Sequence, residues 1–133
     1  MGEHIVQACQ LTKNFKTLTA VDHIDFSIRQ GECFGFLGPN GAGKTTTVRM
    51  IYCFTPLSSG SLTVFGMDVN RHARAIKSLV GICPQETNLD PDFSVEKNLW
   101  VFGRYFGFKK SHLKDKIESL LSFTELTGKR KEK

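Results

Sequence analysis

From His4 to Leu11 and from Ala20 to Ile28 the chain carries short apolar segments, and in the second Val21, Ile24, Phe26 and Ile28 largely alternate with Asp22, Asp25 and Ser27. Alternation at a period of two puts one set of side chains on each face, which predicts strands of an antiparallel layer with one wet face. After a turn at Gln30-Gly31-Glu32, Cys33-Phe34-Gly35-Phe36-Leu37 is continuously apolar, the pattern of a parallel strand buried on both sides. A glycine-rich stretch follows, and then Val48, Ile51 and Tyr52 recur at helical spacing up to Phe54-Thr55-Pro56. Leu57 to Gly60 reads as a loop, Ser61 to Phe65 as a strand closed by Gly66, and Arg71 to Leu79 as a helix. Val80 to Cys83 reads as a short strand ended by Pro84.

From Ser94 onward the period changes. Val95, Leu99, Phe102 and Phe106 stand four, three and four apart, which predicts an amphipathic helix. A break at Gly107 to Ser111 separates it from a second helix whose apolar face is Leu113, Ile117, Leu120 and Leu121. Residues 1–133 therefore read as one domain or a piece of one, with strands dominating up to about residue 84, a first portion running to about residue 92, and helices from about residue 94. Such a length supports a real core. The net charge of +5 suits an anionic partner without choosing one, and the terminal Lys129, Arg130, Lys131 and Lys133 read as a solvated end. Cys9, Cys33, Cys53 and Cys83 lie far apart among apolar residues and read as reduced core residues of a cytosolic protein. The longest apolar runs fall far short of the roughly 18 to 20 residues that span a bilayer, so no direct membrane insertion is expected.

The chemistry concentrates in Gly38-Pro39-Asn40-Gly41-Ala42-Gly43-Lys44-Thr45, which matches G-x-x-x-x-G-K-[ST] between a predicted buried strand and a predicted helix. Glycines let successive backbone amides point into one concavity, and a helix beginning near Gly43 adds its positive end. Lys44 supplies a point charge for β- and γ-phosphates, Thr45 a hydroxyl for Mg²⁺, and Thr46 a further hydroxyl. A glycine-rich turn that holds a lysine by chance is the bland alternative, and the flanking elements weigh against it.

Beyond this loop the chain resembles the ATP-binding cassette ATPases, the nucleotide-binding domains of membrane transporters. The resemblance runs through LTKNFKTLTAVDHIDFSI, GECFGFLGPNGAGKTTTVRMI, SSGSLTVFG and VGICPQETNL followed by FSVEKNLWVFGRYFG. Within that family the stretches look most like the bacterial drug-resistance and nodulation-exporter branch. What the resemblance implies for the fold is a partial α/β P-loop NTPase core with an antiparallel β layer and the start of a helical subdomain. For the site it implies ATP and Mg²⁺ as ligands, Phe15 as the aromatic stacked on adenine where the family commonly has Tyr, and Ala20 as part of the same shelf. Read without the family, Phe15 is a core anchor in a short loop. Gln85 would be the glutamine that coordinates Mg²⁺ and, with Lys44, serves catalysis; read alone it is an exposed loop residue. The implied partners are an integral membrane transporter subunit and a second nucleotide-binding domain, with no nucleic acid. The implied place is cytoplasmic, peripheral to the cell membrane. A nucleotide-dependent switch without a transport role and a nucleoside-phosphate kinase are the rival readings, the latter lacking clustered arginines beyond Arg71 and Arg74.

The family's ATPases also need an aspartate and a glutamate ending an apolar strand, an L-S-G-G-x signature and a switch histidine. None of the acids after Gln85 follows four apolar residues, and Leu126-Thr127-Gly128-Lys129 reads as a helix end with Gly128 as its C-cap. The chain is thus expected to be the N-terminal half of such a domain, with an unpaired sheet edge, able to bind ATP without hydrolysing it.

Overall fold

The computed structural model describes residues 3–84 and 88–133, which divide into two compact units, Met1–Gly81 and Ile82–Lys133. In the first, β1 (His4–Phe15) and β2 (Leu18–Arg29) form a long antiparallel hairpin closed by the two residues Lys16 and Thr17. Both strands outrun the apolar pattern, because the polar stretch between Leu11 and Ala20 continues the ladder to the Phe15–Leu18 pair. Next along the chain are helix α1 (Lys44–Ile51), strands β3 (Ser59–Val64) and β4 (Met67–Asp68), and helix α2 (Ala73–Leu79). The sheet order is β2-β1-β3-β4, antiparallel throughout. Phe65 and Gly66, both at positive φ, make the tight turn between β3 and β4, the geometry that matches strand twist in a two-residue hairpin.

One face of this sheet carries the core: Leu11, Leu62 and Val64 are fully buried together with Met50 of α1 and Ile76 near α2's middle. The helical spacing had singled out Val48, Ile51 and Tyr52, whereas Met50 and Thr47 are the buried positions of α1 and Val48 is exposed. Burying a methionine of this kind contributes about 1.5–3 kcal/mol.

Two expected strands are absent. Cys33–Leu37 and Val80–Cys83 carry no strand structure, and Leu37 is fully exposed. A parallel strand exists only through a ladder to a neighbour, and no strand among the described residues pairs with either segment. Phe34 and Phe36 instead gather on Phe26 of β2, with ring centroids 5.2–5.9 Å apart. The cysteines also depart from expectation: Cys9, Cys33 and Cys83 are exposed and Cys53 is half-buried. Apolar neighbours in sequence do not bury a residue whose segment lacks a packing partner.

The second unit holds α3 (Val95–Tyr105) and α4 (Lys110–Phe123), packed through Leu113, Ile117 and Leu121 against Val95, Leu99, Trp100 and Leu126. Leu120, expected on the apolar face, is exposed. Asn98 is the buried residue of α3. Its amide donates to the carbonyl of Asp90 and its carbonyl accepts from the Asp90 amide, both at 3.0 Å, so the residue is well satisfied. Helix α4 ends in a left-handed residue, but that residue is Glu125 at φ +58, not Gly128. Leu126 donates to Leu121 at 2.8 Å and Glu125 to Ser122 at 3.1 Å, the paired bonds of a Schellman end. Gly128 lies inside a 3-10 turn, Thr127–Lys129. Arg130 then reaches back to Glu96 at 2.8 Å and Glu118 at 2.6 Å. These bonds hold its guanidinium above the ordinary arginine range, so it is charged at any pH the fold survives. The charged tail thus includes a tethered residue as well as solvated ones.

Candidate functional site

The glycine-rich loop is placed by irregularities in β2. Lys13 pairs with Val21 and Asn14 with Thr19, so Ala20 is an extra residue bulged out of the ladder. Its carbonyl turns toward Gly43, the residue before α1. A Cβ built on Gly43 would stand 2.2 Å from that oxygen and 3.1 Å from Cγ2 of Val21. Gly43 also takes φ +81, in the left-handed region that glycine enters freely. Two independent demands therefore exclude any larger residue here. The contact fixes where α1 begins relative to the hairpin.

Within the loop the Ala42 amide donates to the Pro39 carbonyl at 3.2 Å, making a tight turn across Asn40 and Gly41. The Lys44 ammonium folds back and donates to the carbonyls of Gly38 and Pro39, both at 2.7 Å. Thr47, which the sequence reading missed, is buried and donates to the Gly43 carbonyl at 3.0 Å, while its amide donates there at 2.8 Å. That threonine locks the first turn of α1 to the end of the loop. The amides of Gly41, Gly43, Lys44, Thr45 and Thr46 have no protein acceptor among the described residues, as expected for a helix start. Thr45 is exposed and Thr46 half-buried.

These groups suit an oxyanion. Free amides at a helix start favour negative charge. The Lys44 ammonium now rests on two neutral carbonyls, and a charged oxygen offered at the same place makes the stronger partner. The structure thus brings together Gly38, Pro39, Asn40, Gly41, Ala42, Gly43, Lys44, Thr45 and Thr46, with Ala20 beside them.

Phe15 occupies a different setting from the short loop the sequence suggested. It ends β1 at the hairpin tip, paired with Leu18, and is 47 % exposed. Leu18 lies two residues from Ala20, or about 7 Å along a strand, so the ring stands on the same hairpin end that touches Gly43. The Lys13 ammonium sits over the ring, 4.9 Å from its centroid. Gln85 lies outside the described residues. In the second unit, Lys97, Trp100, Val101, Arg104, Tyr105 and Lys110 line a groove of about 660 Å³. Among the described residues no helix is long and apolar enough to cross a membrane.

Comparison with known proteins agrees with this architecture. The chain is 46 % identical over 119 residues to the Nod factor export ATP-binding protein I of Ralstonia nicotianae, covering 90 % of this chain and 37 % of that protein. It is 43 % identical to the protein of the same name from Paraburkholderia xenovorans, over 97 % of this chain and 42 % of that one. The chain therefore spans about two fifths of the length of these curated relatives. Among solved structures, cbiO1 from Clostridium perfringens, part of the ABC transporter complex cbiONQ, superposes with a TM-score of 0.84 at 19 % identity, covering 98 % of this chain and 54 % of that one. An ATP-binding subunit of an ABC transporter gives 0.81 at 18 % identity, over 96 % and 53 %. At that identity these structures speak to the fold alone, which is part of an ABC ATPase α/β core. The profile described as ABC transporter matches residues 21–133, most of the chain, and the protein belongs to that family.

Proposed function

We propose that this chain binds Mg-ATP through the Gly38–Thr46 loop, as the nucleotide-binding part of a transporter's energising subunit whose whole form couples hydrolysis to export. The observation that carries the reading is the seating of Gly43 on the Ala20 carbonyl, which leaves the loop amides free and brings Lys44 over the concavity. The donor set fits the ligand. Unpaired amides and one ammonium match phosphate oxygens, and the exposed Thr45 hydroxyl suits a hard cation that prefers oxygen. Mg²⁺ bound there would neutralise phosphate charge. Gln85 is the second proposed metal contact and, with Lys44, the proposed catalytic contribution. The export role is drawn from the names of the relatives. The groove on α3 is the proposed contact for a membrane subunit, through which the protein would sit peripherally on the cytoplasmic side of the cell membrane. The proposed parent assembly also holds a second nucleotide-binding domain. The domain reading keeps residues 1–133 as the N-terminal portion of one such domain.

Binding is tested by calorimetric titration with Mg-ATP. Lys44→Ala removes the only side-chain cation on the loop and weakens binding tenfold or more, since a charge-assisted contact is worth about 1.5–3 kcal/mol. Unchanged affinity would rule the loop out. The same chain is expected not to turn ATP over, because hydrolysis needs a base that orders and deprotonates water, and none of the carboxylates after Gln85 follows an apolar run. Asp68, which ends β4, is engaged by the amides of Asn70 and Arg71 at 2.9 and 3.1 Å. Phosphate release stays at buffer background with saturating Mg-ATP. Steady release that Lys44→Ala abolishes would show that a catalytic carboxylate is present.

A further inference from the structure

Lys13 has no role in the reading above, yet its placement is unusual. The residue is nine-tenths buried, and among the described residues it makes no ion pair or side-chain hydrogen bond. Among the described residues its ammonium rests on the face of Phe15, 4.9 Å from the ring centroid. Its stem is packed along the hairpin while its ammonium rests on the ring, whereas methionine would fill the same place without a charge.

We propose that Lys13 is a positioning residue for the nucleotide base. Its ammonium covers one face of Phe15 and leaves the other for a purine, a claim that rests on the nucleotide-binding reading above. Three physical effects combine. A cation over one face draws π density from the ring, which strengthens stacking of an electron-rich purine on the opposite face. Contact with the ammonium also holds the ring in one orientation, so that less freedom is lost when a base arrives. Finally, Phe15 keeps 47 % of its surface exposed with Lys13 already in place, which leaves room for the base. The bulge at Ala20 sets the distance: the hairpin end carrying this pair is the one seated on Gly43.

The test compares Mg-ATP with inorganic tripolyphosphate, which offers the phosphates without a base, on the 133-residue chain. Lys13→Met keeps the stem and removes the charge. Affinity for Mg-ATP should fall about threefold to tenfold, the range of a partly desolvated cation–π contact, with tripolyphosphate binding unchanged within about twofold. In a Phe15→Ala background the same substitution should have no further effect on ATP, because the coupling runs through the ring. Lys13→Arg should restore ATP binding, since a guanidinium also sits on an aromatic face. An equal loss for tripolyphosphate would mean that the ammonium acts on phosphate and would overturn the proposal, as would an unchanged ATP affinity or full additivity with Phe15→Ala. If Phe15→Ala itself leaves ATP binding intact, the base contact falls and Lys13 with it, while tripolyphosphate binding still reports on the loop. Should Lys13→Met fail to fold by circular dichroism, Lys13→Arg and Lys13→Gln carry the same comparison.

Discussion

Replacing Gly43 by alanine tests the contact on which the whole site depends. The native φ of +81 lies in the left-handed region, where an L residue costs about 1–2 kcal/mol. The added methyl would also meet the Ala20 carbonyl oxygen at 2.2 Å. An ordinary carbon–oxygen contact is about 1 Å longer, and the obstacle is backbone inside a hydrogen-bonded hairpin, not a mobile side chain. Overpacking of this kind adds about 1–3 kcal/mol, for a total of about 2–5 kcal/mol. Gly41 supplies the control. Its φ is +86, but a Cβ there has nothing within 4 Å, so Gly41→Ala should cost only the backbone part. Urea unfolding of both variants, with equal slopes, isolates the difference, and Gly43→Ala should be the less stable by about 1–3 kcal/mol. If the two variants unfold within about 0.5 kcal/mol of each other, the Ala20 carbonyl does not constrain the loop and the account of how the site is placed is wrong.

Two further outcomes follow from strained or charged positions. The Asp25 carboxylate accepts from the Gln10 backbone amide at 2.7 Å and from the Gln10 side chain at 2.6 Å. The backbone bond foremost holds its pKa below the usual aspartate value. Because the folded value is the depressed one, this stabilisation is complete above the unfolded pKa and is lost as pH falls through the folded pKa. Asp25→Asn should therefore flatten the dependence of the urea midpoint on pH below about 4, leaving the neutral plateau parallel to wild type. An unaltered acid limb would refute this. Phe65, at φ +52 in the turn beside Gly66, is a bulky residue where asparagine is at ease. Phe65→Asn should raise stability by about 1 kcal/mol, seen as a higher midpoint at constant slope, and a loss of stability would show that the exposed ring contributes packing worth more than the strain.

How much was legible in the sequence depends on whether the signal was local. The hairpin strands and both helices of the second unit announce themselves, because side-chain period reports which face is buried without reference to distant residues. The loop's composition and the family likewise stand in short stretches, and the family profile and relatives bear out the latter. Everything that needs a partner depends on packing between distant segments. Cys33–Leu37 has the composition of a buried strand, but pairing is a property of two segments, and Phe34 and Phe36 settle on Phe26 when no ladder is offered. Thr47 and Asn98 take buried positions that a count of apolar residues passes over, since a threonine or asparagine is welcome in a core only where its hydrogen bonds can close. The bulge at Ala20 leaves no mark in the sequence, because an extra residue in a strand is visible only against the strand opposite. Yet it brings a carbonyl to Gly43. Local composition dictates which residues could form a phosphate cradle, and the meeting of two distant backbones fixes where that cradle stands.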